Sequence, residues 1–448
     1  MTYTPAQLEE RTLHRRAIEA AIWGMPAVNY DTMYRALVRD AKGASNQIVY
    51  WSRLLDWKNQ TLTPNPDAIY LMPFYDTTDG PVVLEIPPAD EGSITGSIDD
   101  AWQAALADVG PAGIDAGMGG KFLILPPDHE GPVPDGYLPM PSPTFCGYAL
   151  LRSNLNSGSD SDIAKAVDYG KRVKFYPLAD EDHEAPTTLV DAADVMFDAT
   201  IPYDATFFEA LDRRVQAEPW LTRDKAMIDT LKAIGIEKGR PFAPDTATTT
   251  ALTDAMKEAH AWLDARYEKV FNATFYEDAR WALPASPELV EATTTGFSNP
   301  DSYPVDDRGV AYSFAFFSAK KMGAAQFYLM TIMDKNGSAF DGAATYRLAV
   351  PPNVPVTLYW SATAYDRATH TLIRDTAWAS RSSNTPGLET DDDGSVTLFF
   401  APEPPDGRES NWVPTRKDGQ FEVLCRFYGP EKALFDKTWR LADVERVH

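Results

Sequence analysis

The side chains able to do chemistry gather in two stretches near the ends of this chain. Asn65, Asp67 and Tyr70 lie in a Pro-rich turn, Thr63-Pro-Asn-Pro-Asp-Ala-Ile-Tyr70, that leads into an apolar run. Short polar groups there can position a substrate or bind a hard cation. The same residues can instead close local Asx turns. Asp99 and Asp100 end a run whose side chains alternate, so one must point away from the other. A carboxyl turned inward has its pKa raised and can serve as general acid or base. The plainer reading is an exposed turn pair. Toward the C-terminus, Trp360, Tyr365, Asp366, Arg367 and Trp378 stand close in sequence to His370, Arg374, Asp375 and Arg381. An aromatic wall with a few Arg and Asp groups suits an organic molecule bearing a carboxylate or ester. Arg426 sits inside the apolar run Val423-Leu-Cys-Arg-Phe427 and needs a partner. Asp366 or Glu422 could neutralise it, or it could hold a substrate anion.

These residues define two kinds of site. Asp67, Asp99, Asp366 and Arg426 are the catalytic candidates. Asn65, Tyr70, Trp102, Trp360, Tyr365, Arg381 and Trp412 are the candidates for substrate contact. The expected function is an enzyme acting on a small organic substrate, with hydrolysis as the leading chemistry. Its carboxylate-rich or metal-assisted site would lie near the interface of two β domains. The alternative is a non-catalytic protein holding a carbohydrate or hydrophobic ligand on an exposed row of Trp102, Trp360 and Trp412. A metal-dependent oxygenase is a third reading.

Histidine narrows the chemistry. His14, His129, His183, His260, His370 and His448 are the full set, and none pair at metal-binding spacing. A cupin-like iron or zinc site is disfavoured, whereas a divalent cation held by carboxylates is permitted. Ser361 and His370 could form a hydroxyl–imidazole pair. No Gly-x-Ser-x-Gly, Gly-x-Gly-x-x-Gly or phosphate-binding loop occurs, so no nucleotide cofactor is expected. Cys146 and Cys425 lie in apolar runs and read as buried thiols, with a bridge between them left open. With 41 basic and 65 acidic residues the net charge is −24, which repels nucleic acid and anionic membranes. The expected partner is a small molecule, with a homo-oligomer allowed because sandwich edges need covering. The first residues carry no basic region and no long apolar core, so the cytoplasm is expected. A trimmed signal would make it periplasmic or secreted.

The elements that must hold these groups follow from the hydrophobic period. Residues 5–41 read as helix, interrupted at Met25-Pro26. Short apolar runs at 69–75, 81–86, 93–98, 121–125 and 145–151 read as strands of an antiparallel domain. A helix opens near 160, capped by Asp160 or Ser161, and two short helices fall within 187–217. Another spans 221–235. The longest covers 246–272, with Leu252, Met256, Ala259, Leu263 and Tyr267 on one face. From 305 onward the pattern returns to strands, at 324–331, 345–350, 356–361, 395–400 and 421–427. Asp391-Asp-Asp-Gly394 is a turn, and a one-turn helix starts near 430.

Several motifs also carry a resemblance. They are Asn65-Pro-Asp-Ala-Ile-Tyr70, Gly80-Pro-Val-Val-Leu-Glu-Ile-Pro87 and Ser97-Ile-Asp-Asp-Ala-Trp102 in the first half. Trp360-Ser-Ala-Thr-Ala-Tyr-Asp366, Asp393-Gly-Ser-Val-Thr397, Asn411-Trp-Val-Pro414 and Cys425-Arg-Phe-Tyr-Gly-Pro430 follow in the second. The chain resembles the bacterial family that pairs domain of unknown function twelve-fifty-four with domain of unknown function twelve-fourteen. The resemblance covers roughly residues 10–180 and 300–446 and is weakest in the helical middle. It implies an α+β fold of two antiparallel jelly-roll-like β-sandwich domains, joined and covered by a helical segment. The expected division is 1–45 N-terminal helices, 46–180 first sandwich, 181–300 helical connection and 301–448 C-terminal β domain.

Overall fold

The computed structural model describes residues 3–181, 187–315, 319–321 and 326–447. His183, His448 and the first two residues of the expected 324–331 strand lie outside them. The chain opens with α1 (Pro5–Arg39), whose first turn is closed by a capping box between Thr4 and Gln7. Twelve strands follow, ten in the first sandwich and β2 and β12 in a separate two-stranded sheet: β1 (Gln47–Tyr50), β2 (Asn59–Gln60), β3 (Ile69–Asp76), β4 (Val82–Ile86), β5 (Ile94–Asp100), β6 (Ala105–Val109), β7 (Gly120–Leu125), β8 (Tyr137–Pro141), β9 (Cys146–Ser153), β10 (Lys174–Pro177), β11 (Leu189–Asp191) and β12 (Phe197–Asp198). Helix α2 (Asp160–Gly170) lies between β9 and β10. Its cap is Ser159, one residue before the expected positions, because the Ser159 hydroxyl is the group that accepts the Asp162 N–H.

A six-stranded sheet, β11-β1-β3-β9-β5-β6, faces a four-stranded one, β10-β4-β7-β8. Alternation sends Ile48, Leu71, Leu84, Ile98, Phe122 and Leu151 into the space between them. Pairing is mostly antiparallel, but β7 runs parallel to β8 and β1 parallel to β11.

The helical middle comprises α3 (Thr206–Ala217), α4 (Met227–Lys232), α5 (Thr246–Val270) and α6 (Pro287–Thr294). Residues 187–217 hold one helix and two short strands instead of two helices. Leu252, Met256, Ala259, Leu263 and Tyr267 of α5 are all buried, as their spacing requires. A further helix, α7 (Val305–Phe314), precedes the last domain where strands were expected.

The second sandwich contains β13 (Gln326–Thr331), β14 (Thr345–Val350), β15 (Trp360–Asp366), β16 (Ser380–Ser382), β17 (Val396–Ala401), β18 (Trp412–Pro414), β19 (Phe421–Tyr428) and β20 (Glu445–Val447), with α8 (Lys432–Phe435) before its last strand. One sheet is β13-β19-β15-β16 and the other β18-β17-β14-β20. Leu348, Ala362, Leu398, Val423 and Phe427 fill its interior. The strand expected at 356–361 begins at Trp360 instead, and the residues before it make only an isolated bridge, Val356 to Pro430.

Helices and sheets meet in a third core. Met72, Phe74, Tyr148 and Leu150 come from the outer face of the six-stranded sheet, and Met330 and Leu424 from the second domain. Helix α1 runs unbroken through Pro26, contrary to the sequence expectation. Proline removes only one N–H, the one that would bond the Ile22 carbonyl. Gly309 of α7 lies directly against that carbonyl: a Cβ there would stand 2.6 Å from the Ile22 oxygen. The gap left by Pro26 is thus covered by a neighbouring backbone, and α1 continues because its flanking residues are buried on all sides.

Candidate functional site

Two sheets turn polar faces toward each other across the third core. On β19 the side chains of Glu422, Leu424, Arg426 and Tyr428 share one face, while Phe421, Val423, Cys425 and Phe427 fill the sandwich. Register places Arg426 between Tyr328 of β13 and Ser361 of β15, and Glu422 beside Tyr365. On the opposing six-stranded sheet, Tyr70 of β3 pairs with Arg152 of β9.

These faces enclose a cavity of about 40 Å³. Its polar wall is Thr63, Tyr70, Arg152, Tyr328 and Arg426. Its apolar wall is Leu62, Pro284, Phe314, Met330 and Leu424. Arg426 is 3% exposed and Arg152 9%. Among the described residues, neither forms an ion pair with a carboxylate. The expectation that Asp366 or Glu422 neutralises Arg426 is therefore corrected. Arg426 donates instead to the Thr63 carbonyl at 2.8 Å, the Thr363 hydroxyl at 3.0 Å and the Tyr365 hydroxyl at 2.5 Å. Tyr365 in turn donates to the Pro64 carbonyl at 2.6 Å. Arg152 is bonded far less. Its Nε donates to the Tyr70 hydroxyl at 3.1 Å, and its guanidinium lies 5.1 Å from that ring. Its two terminal nitrogens have no hydrogen-bond partner among the described residues. The Tyr70 hydroxyl accepts from both Arg152 and the Asn65 N–H, which leaves its own proton to give.

Asn65 ties the two domains together. Its amide donates to the hydroxyls of Tyr359 and Tyr428, at 2.9 and 2.8 Å. Its carbonyl accepts the Asp67 N–H at 3.0 Å, the Asx turn that the sequence allowed. Asp67 accepts the Ser380 hydroxyl at 2.7 Å. Burial raises its pKa above the ordinary range, although Ser380, Arg426 and Arg381 oppose the shift. Arg381 is held by the carbonyls of Ser410, Ser380 and Glu409. Burial lowers it to about 10.

The other sequence candidates are dispersed. Asp99 is fully buried on the helix-facing side, and no group among the described residues donates to either of its oxygens. Burial pushes its pKa well up, with Asp100 and Asp108 adding to the shift and Arg152 opposing it. Asp100 is buried too and accepts the N–H groups of Trp102 and Ala104. The pair is not an exposed turn. Asp366 closes the turn after β15 by accepting from Ala368 and Thr369, away from the cavity. Asp67, Asp99 and Asp366 therefore do not share one carboxylate cluster. Among the described residues no three His, Cys, Asp or Glu side chains converge as a metal-holding group. The exposed tryptophan row is absent as well. Trp102 packs on Trp23 with centroids 4.6 Å apart, Trp360 is buried in the second sandwich, and Trp412 meets Trp378 edge-on. Cys425 is a buried free thiol and Cys146 a half-buried one, with no bridge between them.

Sequence reasoning passed over Arg152, Tyr328 and the pairing of His370 with Glu422. His370 Nδ1 lies 2.8 Å from Glu422 Oε1, and the Tyr267 hydroxyl donates to Glu422 Oε2 at 2.6 Å. Glu422 is fully buried and His370 6% exposed. With the carboxylate accepting, Nδ1 carries a proton. Nε2 has no partner among the described residues. The pair sits behind the cavity wall: the Phe314 and His370 rings are 6.1 Å apart, and the His370 carbonyl accepts the Thr63 N–H at 2.7 Å. Ser361 makes no bond to His370, and its buried hydroxyl is unpartnered.

No helix among the described residues is long and apolar enough to cross a membrane. No curated protein matches the sequence. Among solved structures, the VPA0106 protein from Vibrio parahaemolyticus is similar in fold, with a TM-score of 0.59 at 18% identity, covering 97% of this chain and 100% of that one. An uncharacterised protein from Burkholderia cenocepacia aligns with a TM-score of 0.41 at 11% identity, over 98% of this chain and 94% of its own. Residues 45–177 match the protein family of unknown function DUF1254, and residues 325–432 match the protein family of unknown function DUF1214. The two matched segments are the ones that face each other across the cavity, and the chain belongs to the family that pairs these two domains.

Proposed function

We propose that the protein is an enzyme whose substrate is a small organic anion held in the interdomain cavity. One observation carries this reading: two buried arginines face the same cavity without a carboxylate partner. A buried cation that is not paired is costly, and a ligand anion supplies the missing partner. The reading of the substrate as an organic molecule with an anionic group also agrees with the apolar part of the lining.

Hydrolysis is the chemistry we propose for it. Support comes from the buried His370–Glu422 pair directly behind the cavity wall, a pairing suited to moving a proton. The test is turnover of a panel of small ester- and amide-bearing acids by the wild type, His370→Asn and Arg152→Met. Arg152→Met is expected to lose binding and turnover together, and His370→Asn to lose turnover by about 100-fold with binding kept. Equal turnover in the wild type and His370→Asn would remove the hydrolytic assignment. Full binding by Arg152→Met would remove the site.

A further inference from the structure

We infer that the anion is a monocarboxylate with a short apolar chain, a conclusion that rests on the cavity reading above and narrows it. The argument is one of free donors. Arg426 lines the same cavity, yet its terminal nitrogens are already given to Thr63, Thr363 and Tyr365. The N–H of Thr63, a wall residue, is given to His370. The least committed donors are then the two terminal nitrogens of Arg152, joined by the hydroxyl protons of Tyr70 and Tyr328 and by the Nε of Arg426. No protein partner among the described residues takes the Tyr328 hydroxyl. A guanidinium edge offers two parallel N–H groups, which match the two oxygens of a carboxylate. A phosphate monoester brings three terminal oxygens and a charge near −2. Its third oxygen would turn toward the apolar lining of Leu424, Met330 and Phe314. A second carboxylate would fall on the apolar part of the lining, where Leu424, Met330 and Phe314 offer no donor side chain. The same part suits a hydrocarbon chain.

Size sets the chain length. One water needs about 10–15 Å³ of such space, so about 40 Å³ holds about three waters. Room on that scale keeps the chain short, with a carboxylate of about two carbons the best match. The carboxylate would lie in the Arg152 fork with Tyr70 and Tyr328 donating to it, and the chain would turn toward Leu424.

Isothermal titration calorimetry tests this with acetate, propionate and butyrate against inorganic phosphate, succinate and the neutral isostere propionamide. The wild type, Arg152→Lys and Tyr328→Phe are compared, with circular dichroism as the check on folding. Propionate or a neighbour in the series is expected to bind at one site per chain, with phosphate, succinate and propionamide silent. Arg152→Lys keeps the charge and loses the fork, and is expected to weaken binding at least tenfold; Tyr328→Phe is expected to weaken it about fivefold. Phosphate or succinate binding better than propionate, and weakened by Arg152→Lys, would overturn the monocarboxylate and keep the anion site. Binding of propionamide as tight as propionate would overturn both. Silence from every anion would also overturn both, as would propionate binding that folded Arg152→Lys and Tyr328→Phe leave unchanged.

Discussion

The two sheet faces that enclose the cavity are equally buried and differently finished. The C-terminal face ties down its arginine: each terminal nitrogen of Arg426 meets a protein oxygen. The N-terminal face leaves Arg152 with a single bond, to Tyr70. The same residue type thus does two jobs a few side chains apart. Arg426 fixes the Thr63–Pro64 turn against β15 and β19, and is part of the frame. Arg152 keeps its donors for something else. Burial alone does not separate frame from site; the count of uncommitted donors does.

Breaking the frame is the largest expected effect. Arg426→Met strands the Thr63 carbonyl and the hydroxyls of Thr363 and Tyr365, and should cost about 3 kcal/mol or more in urea unfolding. Retained wild-type stability would make Arg426 a second free donor and dissolve the contrast. Asn65→Ala removes the amide that reaches Tyr359 and Tyr428, and should cost about 1–3 kcal/mol. Because those tyrosines belong to the other domain, the loss should appear as separated unfolding of the two sandwiches in calorimetry.

Asp99 sharpens the comparison on the N-terminal face. Its pKa is raised in the folded protein by burial, so folding favours the protonated form. The contribution is whole below its unfolded value of 3.8 and is lost as pH rises toward the folded value. Asp99→Asn keeps the neutral shape and should be free of this loss. Urea midpoints of the two proteins should coincide near pH 4 and separate toward neutrality, with Asp99→Asn the more stable. Coincident midpoints at both pH values would mean the carboxyl is not held in a dry setting. The smallest effect belongs to Arg152→Met: stability within about 1 kcal/mol of wild type, because an under-bonded cation gives way to an apolar side chain of similar length. A loss as large as that for Arg426→Met would place Arg152 in the frame as well.

Much of the frame was legible. Period-two runs marked β3, β5, β7, β9, β14, β17 and β19 because each has one face in a sandwich core. The site was legible on one side only. Arg426 stood out because its strand is apolar on both flanks. Arg152 obeys the same rule, sharing a face with Tyr148 and Leu150, but the expected strand ended at Leu151, one residue short of it. Carrying the alternation one step further would have found it. The link between His370 and Glu422 spans 52 residues and a turn, and no local period encodes such a meeting. Asp67, Asp99 and Asp366 misled because letters alone do not say that Asp366 is spent on its own turn. Pro26 misled because the covering backbone of Gly309 is almost three hundred residues away.

That last distance has a consequence for how the protein is made. Helix α1 leaves the ribosome before every other element described, with most of the surface between Ala17 and Leu37 destined for burial. The partner that covers the Ile22 carbonyl, α7, arrives only after residue 305. At about 5–20 residues per second, α1 waits on the order of 10–60 s for it. Through that interval a long apolar helix is tethered to a growing chain with its final neighbour unmade. The nascent protein is therefore a client for whatever shields helices during translation, and the cavity closes later still, once Leu424 and Arg426 of β19 have been made.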